Sequence, residues 1–217
     1  VIGAVVLAIA TIPIFFVRDE NIDEEDEDPL SVIGFIRKAP ILLIAVGMFA
    51  IIDAANLSFL PVYGVKKGLD QATASLALTA FIIGNTVLQF PIGWLADHFK
   101  KRWVMAGCGV VTACASALLP LSFDTWAFWP LLTIAGAASA GIYTVSLAEL
   151  GERFSGHELV TGTASFSTTW GLGALVGSLI AGWSMQSFGP DGLPYSMALI
   201  FALFLVVMVT REVRKNP

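Results

Sequence analysis

Residues 93–102 read GWLADHFKKR. They end the uncharged apolar run 72–96 with an aspartate, a histidine and three consecutive basic residues. Gly93 precedes Asp97 by one helical turn, and Lys101 follows it by another, with Arg102 adjacent. A chain that breaks its greasiest stretches so abruptly is marking where a helix leaves an apolar medium. The question is whether that medium is a protein core or a bilayer.

Composition answers for the bilayer. The 217 residues are 56% hydrophobic and 13% charged, against about 25% charged in ordinary soluble domains. The apolar residues come in long uninterrupted runs: 1–17, 39–63, 72–96, 103–121, 127–148, 159–186 and 193–210. A hydrocarbon layer of ~30 Å takes about 20 residues as helix. Only helices or closed barrels satisfy backbone polar groups there. The spacing therefore predicts an all-α membrane protein in which one helix is followed by a linker and a bundle of six. The first run, VIGAVVLAIATIPIFFV, lacks the basic start and the small-residue cleavage site of a signal peptide, and is read as the end of a helix belonging to a longer chain.

Charge sets the orientation. The net charge of −5 is misleading, because residues 18–28, RDENIDEEDED, alone carry −7 and leave the rest at +2. With so few apolar residues, 19–28 is read as a disordered linker. Counting loops alternately, one side holds Arg18, Arg37, Lys38, Lys100, Lys101, Arg102, Arg153, Arg211, Arg214 and Lys215, and the other only Lys66 and Lys67. The ten-against-two bias predicts a cytoplasmic linker, a cytoplasmic C-terminus, and cytoplasmic loops at 98–102 and 151–158. Cys108 and Cys114, six apart in one apolar run, suggest neither a disulfide framework nor metal ligation.

The pattern Gly93-x-x-x-Asp97-x-x-x-Lys101-Arg102 resembles the cytoplasmic signature loop of the major facilitator superfamily of transporters, which lies between the second and third helices of each six-helix half. It has the same place here. Lys100 stands where that family usually has Gly, and His98 where it often has Arg. The segments LQFPIGWLAD and TWGLGALVGSLIAGWSMQSFGPDGL look most like a poorly characterised bacterial branch. The resemblance implies that 1–17 is the last helix of an N-terminal half, 18–38 the central cytoplasmic linker, and 39–217 the C-terminal half of a twelve-helix transporter. It also implies an integral protein of the bacterial plasma membrane, partnered by its own N-terminal half. In that family the third and sixth helices of each half are peripheral, which fits the nearly featureless 193–210.

Within this frame Asp53 stands out as the one formal charge inside the long spans after the linker. A charge at mid-membrane costs ~3 kcal/mol on insertion scales and faces a cavity or a partner. Asp53 is therefore either a substrate- or proton-binding carboxylate or a structural acid bonded to a neighbouring helix. Asn56 shares its face. Asn85 and Gln89, one turn apart, either join helices or bind solute. Tyr143 and Trp170 lie deeper than interfacial anchors and line a cavity or simply pack. In the loop, Gly93 would admit a neighbouring helix, and Asp97 would latch against the helix starting near Leu159. Lys101 and Arg102 complete this candidate gate. Glu149 is expected to pair with Arg153. Gly136, Gly141, Gly173, Gly177 and Gly182 predict close helix contacts.

No nucleophile elbow, phosphate-cradling loop, metal cluster or paired catalytic carboxylates occur in the sequence, so neither catalytic residues, metal nor cofactor is expected. The basic residues are too few and dispersed for nucleic acid. The expected function is secondary active transport of a small solute by alternating access, with proton coupling resting on Asp53. A non-transporting receptor or sensor on the same fold, and a polytopic membrane enzyme, are the alternatives.

Overall fold

The computed structural model describes residues 32–213. The expected helix 1–17 and the acidic run 18–28 lie outside these residues. Among the described residues every regular element is a helix: α1 (Val32–Lys38), α2 (Pro40–Lys66), α3 (Gln71–Val87), α4 (Gln89–His98), α5 (Lys101–Ser122), α6 (Phe128–Arg153), α7 (Gly156–Ser187) and α8 (Gly192–Val213). Five spans are long and apolar enough to cross a membrane, with α3 and α4 together forming one of them; α8 adds the shorter apolar stretch Gly192–Met208. The chain is thus an all-α membrane protein.

Local chemistry sets the boundaries. Pro40 opens α2, where a missing N–H costs nothing. Gly68, at φ +104°, makes the left-handed turn that ends that span. Asp70 caps α3, accepting from the Thr73 N–H at 3.1 Å and the Thr73 hydroxyl at 2.6 Å. The Thr73 hydroxyl and amide hold the Asp70 carboxyl below the usual carboxylate range. This cap therefore contributes at neutral pH and fades as pH falls through that lowered value.

The sequence-based spans need three adjustments. The run 72–96 is not one helix, because it breaks at Leu88 between α3 and α4. Pro91 has no N–H for the Val87 carbonyl, and its ring crowds that turn. The run 127–148 continues as helix to Arg153, so Glu149 and Arg153 sit on a helix end, with only residues 154 and 155 between α6 and α7. Residues 32–38, expected to be linker, form α1. Its Phe35 is fully buried, 5.0 Å ring to ring from Phe154, and Lys38 pairs with Glu158 at the start of α7.

Three interfaces are the most extensive in the bundle, α2 on α7, α3 on α6 and α5 on α6. The first two rest on glycine. A Cβ on Gly136 would stand 2.1 Å from the Phe81 carbonyl oxygen, one on Gly84 1.9 Å from that of Thr133, and one on Gly177 2.2 Å from that of Ile51. Such close backbone approach is how helices associate where lipid offers no hydrophobic drive. Gly173 meets Ala50 and the Gly47 carbonyl, whereas Gly182 is looser, facing the Phe59 ring at 3.3 Å. Helix α5 lies between α6 and α8. Rather than simply facing lipid, α8 buries Leu193, Met197, Phe201 and Phe204 on one stripe and exposes Leu199, Leu203 and Val206 on the other.

Candidate functional site

The α2, α3 and α6 helices meet around Asp53. Asp53 is 8% exposed, and its Oδ1 accepts from Asn85 Nδ2 at 3.3 Å. Gln89 Nε2 in turn donates to Asn85 Oδ1 at 3.2 Å. Asn85 is brought there by the Gly136 contact: a Cβ on Gly136 would lie 3.3 Å from the Asn85 amide nitrogen. The result is a line of polar side chains running from a buried carboxyl on α2, through α3, to the helix break at Leu88. A carboxyl in such a line can exchange its neutral and charged forms with a change of partner, whereas a simple amide lattice cannot.

The other candidates fall elsewhere. Asn56, 7% exposed, turns back along its own helix, and its Nδ2 donates to the Ile52 carbonyl at 2.9 Å. Tyr143 packs its ring 5.2 Å from that of Phe49, in the apolar cluster of Phe35, Leu42, Val46 and Leu150. Trp170 is 39% exposed. The α2–α7 register, Ala50 against Gly173 and Ile51 against Gly177, puts Trp170 about two helical turns (~10 Å) from the level of Asp53. The structure therefore joins Asp53 to Asn85 and Gln89 but does not bring Trp170 to them.

The GWLADHFKKR corner differs from expectation in two respects. A Cβ on Gly93 would meet nothing within 4 Å among the described residues, so no helix approaches there. Asp97 is exposed, and α4 makes no contact with the α7 helix that starts near Leu159. The corner instead packs on the end of α6, which runs further than its apolar stretch and occupies that place. Lys101 Nζ lies 2.7 Å from both carboxylate oxygens of Glu152, and Arg153 Nη1 donates to Glu149 Oε1 at 2.9 Å. Glu149 Oε2 is buried and has no hydrogen-bond partner among the described residues.

Sequence reasoning missed a clasp at the opposite end. Asp191, between α7 and α8, accepts from the Tyr63 hydroxyl at 3.2 Å and lies 3.1 Å from Lys67 Nζ. Lys67 also sits 5.3 Å above the Phe123 ring, which meets Tyr63 edge-on at 5.6 Å. The ends of α2, α5 and α7 are thereby tied together. The signal available was charge alone, since Lys66 and Lys67 are the two basic residues on that side and Asp191 an acid in a facing loop.

Comparison with known proteins matches residues 42–217 to the model of the Major Facilitator Superfamily. YfkF of Bacillus subtilis (strain 168), described as an uncharacterized MFS-type transporter, is 28% identical over 156 residues, covering 72% of this chain and 40% of its own length. YcaD of Escherichia coli (strain K12 / DH10B), described in the same way, is 26% identical over 208 residues, covering 95% of this chain and 53% of its own length. The chain thus spans about half the length of the curated relatives it matches. Among solved structures, the crystal structure of an auto inhibited POT family peptide transporter superposes with a TM-score of 0.65 at 19% identity, over 81% of this chain and 37% of that one. This likeness concerns the fold.

Proposed function

The chain belongs to the Major Facilitator Superfamily, and on that premise we propose that it supplies the C-terminal half of a secondary active transporter moving a small solute by alternating access. In this reading residues 1–17 end an N-terminal half, 18–38 link the halves on the cytoplasmic side, and 39–217 form the second half in a bacterial inner membrane. Solute binds between the halves near mid-membrane, as is general for such folds.

The observation that carries the reading is the Asp53–Asn85–Gln89 line. An intramembrane carboxyl is costly and belongs to a pathway or a relay. Protonation removes its charge, so the two protonation states favour different arrangements of α2 against α3, which is what coupling to a proton gradient requires. Asn56, Tyr143 and Trp170 are packing or cavity-wall residues that do not join that line. Gly93, Asp97, Lys101 and Arg102 form the cytoplasmic gate loop, bearing on the end of α6 through the Lys101–Glu152 pair.

The direct test is transport by the intact protein in sealed vesicles. An imposed pH gradient should drive accumulation or expulsion of a solute from a metabolite panel, with a matching proton flux. Absence of solute movement under every gradient would leave a receptor or sensor on this fold. Orientation is tested separately. A cysteine at Glu24→Cys should react with a membrane-impermeant reagent from the cytoplasmic side, and one at Lys66→Cys from the opposite side. Labelling of both from one side would refute the six-span arrangement.

A further inference from the structure

Between α4, α5 and α6 runs a groove of about 570 Å³ that the transport reading does not use. Its lining is apolar: Pro91, Leu95 and Phe99 on one wall, Trp103 and Gly107 on the other, and Ala137 on the floor. The groove follows the chain from Leu88 at the helix break to Phe99 at the helix end. Eleven helical steps are roughly 16 Å, close to half of a ~30 Å hydrocarbon core. The groove is therefore as long as one leaflet is deep.

At its Phe99 end the groove adjoins a polar cleft. Phe99 and Trp103, 61% and 70% exposed, line both spaces. The cleft holds Lys100, Lys101, Arg102 and Arg153 against Asp97, Glu149 and Glu152, an excess of one positive charge. Lys101 is engaged by Glu152 and Arg153 by Glu149. Lys100 is exposed at the junction of groove and cleft. An apolar slot one leaflet deep, ending at a cationic rim with an interfacial tryptophan, matches a molecule with a long hydrocarbon tail and an anionic head at the membrane surface.

We propose that this groove binds one acyl chain of an anionic glycerophospholipid, with its phosphodiester head against Lys100 at the rim. By the basic-residue bias the lipid belongs to the cytoplasmic leaflet. The site is distinct from the Asp53 line and stands or falls independently of transport.

Gly107 provides the means of testing it. A Cβ there would meet nothing within 4 Å, because the position opens into the groove. Gly107→Trp and the smaller Gly107→Leu therefore plug the slot without displacing a helix. The intact protein is purified in mild detergent, and co-purifying phospholipid is quantified by mass spectrometry. Melting is then followed as phosphatidylcholine vesicles with or without phosphatidylglycerol are added. The wild type should retain anionic phospholipid and gain about 5 °C with phosphatidylglycerol. Gly107→Trp should retain about ten-fold less and gain nothing, with Gly107→Leu intermediate, as occupancy follows the space left. Lys100→Gln should keep the lipid but lose several-fold of the preference for the anionic head. Wild type that retains no phospholipid, that retains zwitterionic lipid equally well, or that loses none on plugging would overturn the proposal.

Discussion

Asp53→Asn is expected to abolish uphill, gradient-driven transport while leaving the protein folded and in the membrane. The substitution is nearly isosteric and removes the one group on this line that can change charge. Asn85 currently donates to Asp53 Oδ1. An asparagine at 53 still offers a carbonyl oxygen to that donor, so the contact between α2 and α3 survives. Removing a costly intramembrane charge offsets any weakening of the hydrogen bond, and the net stability change should stay within about 1–2 kcal/mol. The proton-linked switch, by contrast, is lost entirely. Accumulation against a gradient should fall at least ~10-fold, towards the level seen with no pH difference, because only a differential interaction can shift the conformational equilibrium. Exchange of solute down its own gradient should persist. The measurement compares mutant and parent in vesicles under the same imposed pH gradient. Equal accumulation by both would make Asp53 a structural acid and remove the case for proton coupling.

The second large effect is expected from a single methyl group. Gly136→Ala would place a Cβ 2.1 Å from the Phe81 carbonyl oxygen and 3.3 Å from the Asn85 amide. Both obstacles are backbone of α3, so no side-chain rotation relieves them. The helices must separate by an ångström or more along their tightest contact. Overpacking of this kind costs about 1–3 kcal/mol even where side chains can adjust, and here the cost should lie at or above the top of that range. The displacement also carries Asn85 away from Asp53, whose hydrogen bond at 3.3 Å has little slack. Gly136→Ala should therefore lower both the melting temperature and transport. Gly107→Ala, whose new Cβ would meet nothing within 4 Å, should change stability by less than about 0.5 kcal/mol. Melting of the two variants side by side decides the matter. If Gly136→Ala melts like the parent, glycine is not what holds α3 against α6.

The two substitutions probe different layers of information. The spans were legible because a bilayer imposes a length and forbids unsatisfied backbone, so uncharged runs of the right size have only one structure open to them. The corner at 93–102 was legible as a topological signal because charge ends a span, and its spacing identified the family. The Glu149–Arg153 pair was legible because four residues on a helix make one neighbouring pair. Even the break at Leu88 had a written cause in Pro91. That α6 runs on to Arg153, and that residues 32–38 coil into α1, was less visible, because both depend on shelter and partners supplied by other helices.

What the sequence could not specify was which face of each helix meets which neighbour. In water, a helix declares its inner face by the side on which its apolar residues lie. In lipid the outer face is as apolar as the inner one, so α2, α6 and α7 carry no such stripe, and their contacts are settled by where backbones can approach most closely. That choice, made by Gly84, Gly136, Gly173 and Gly177, is what joins Asp53 to an amide 32 residues away, leaves Trp170 at another depth, and sends Lys101 to Glu152 rather than Asp97 to α7. The sequence by itself determined the medium, the number of apolar runs and the chemistry available. The tertiary structure alone decided which polar groups would meet, because close packing of small residues, and not hydrophobic patterning, selects partners inside a membrane.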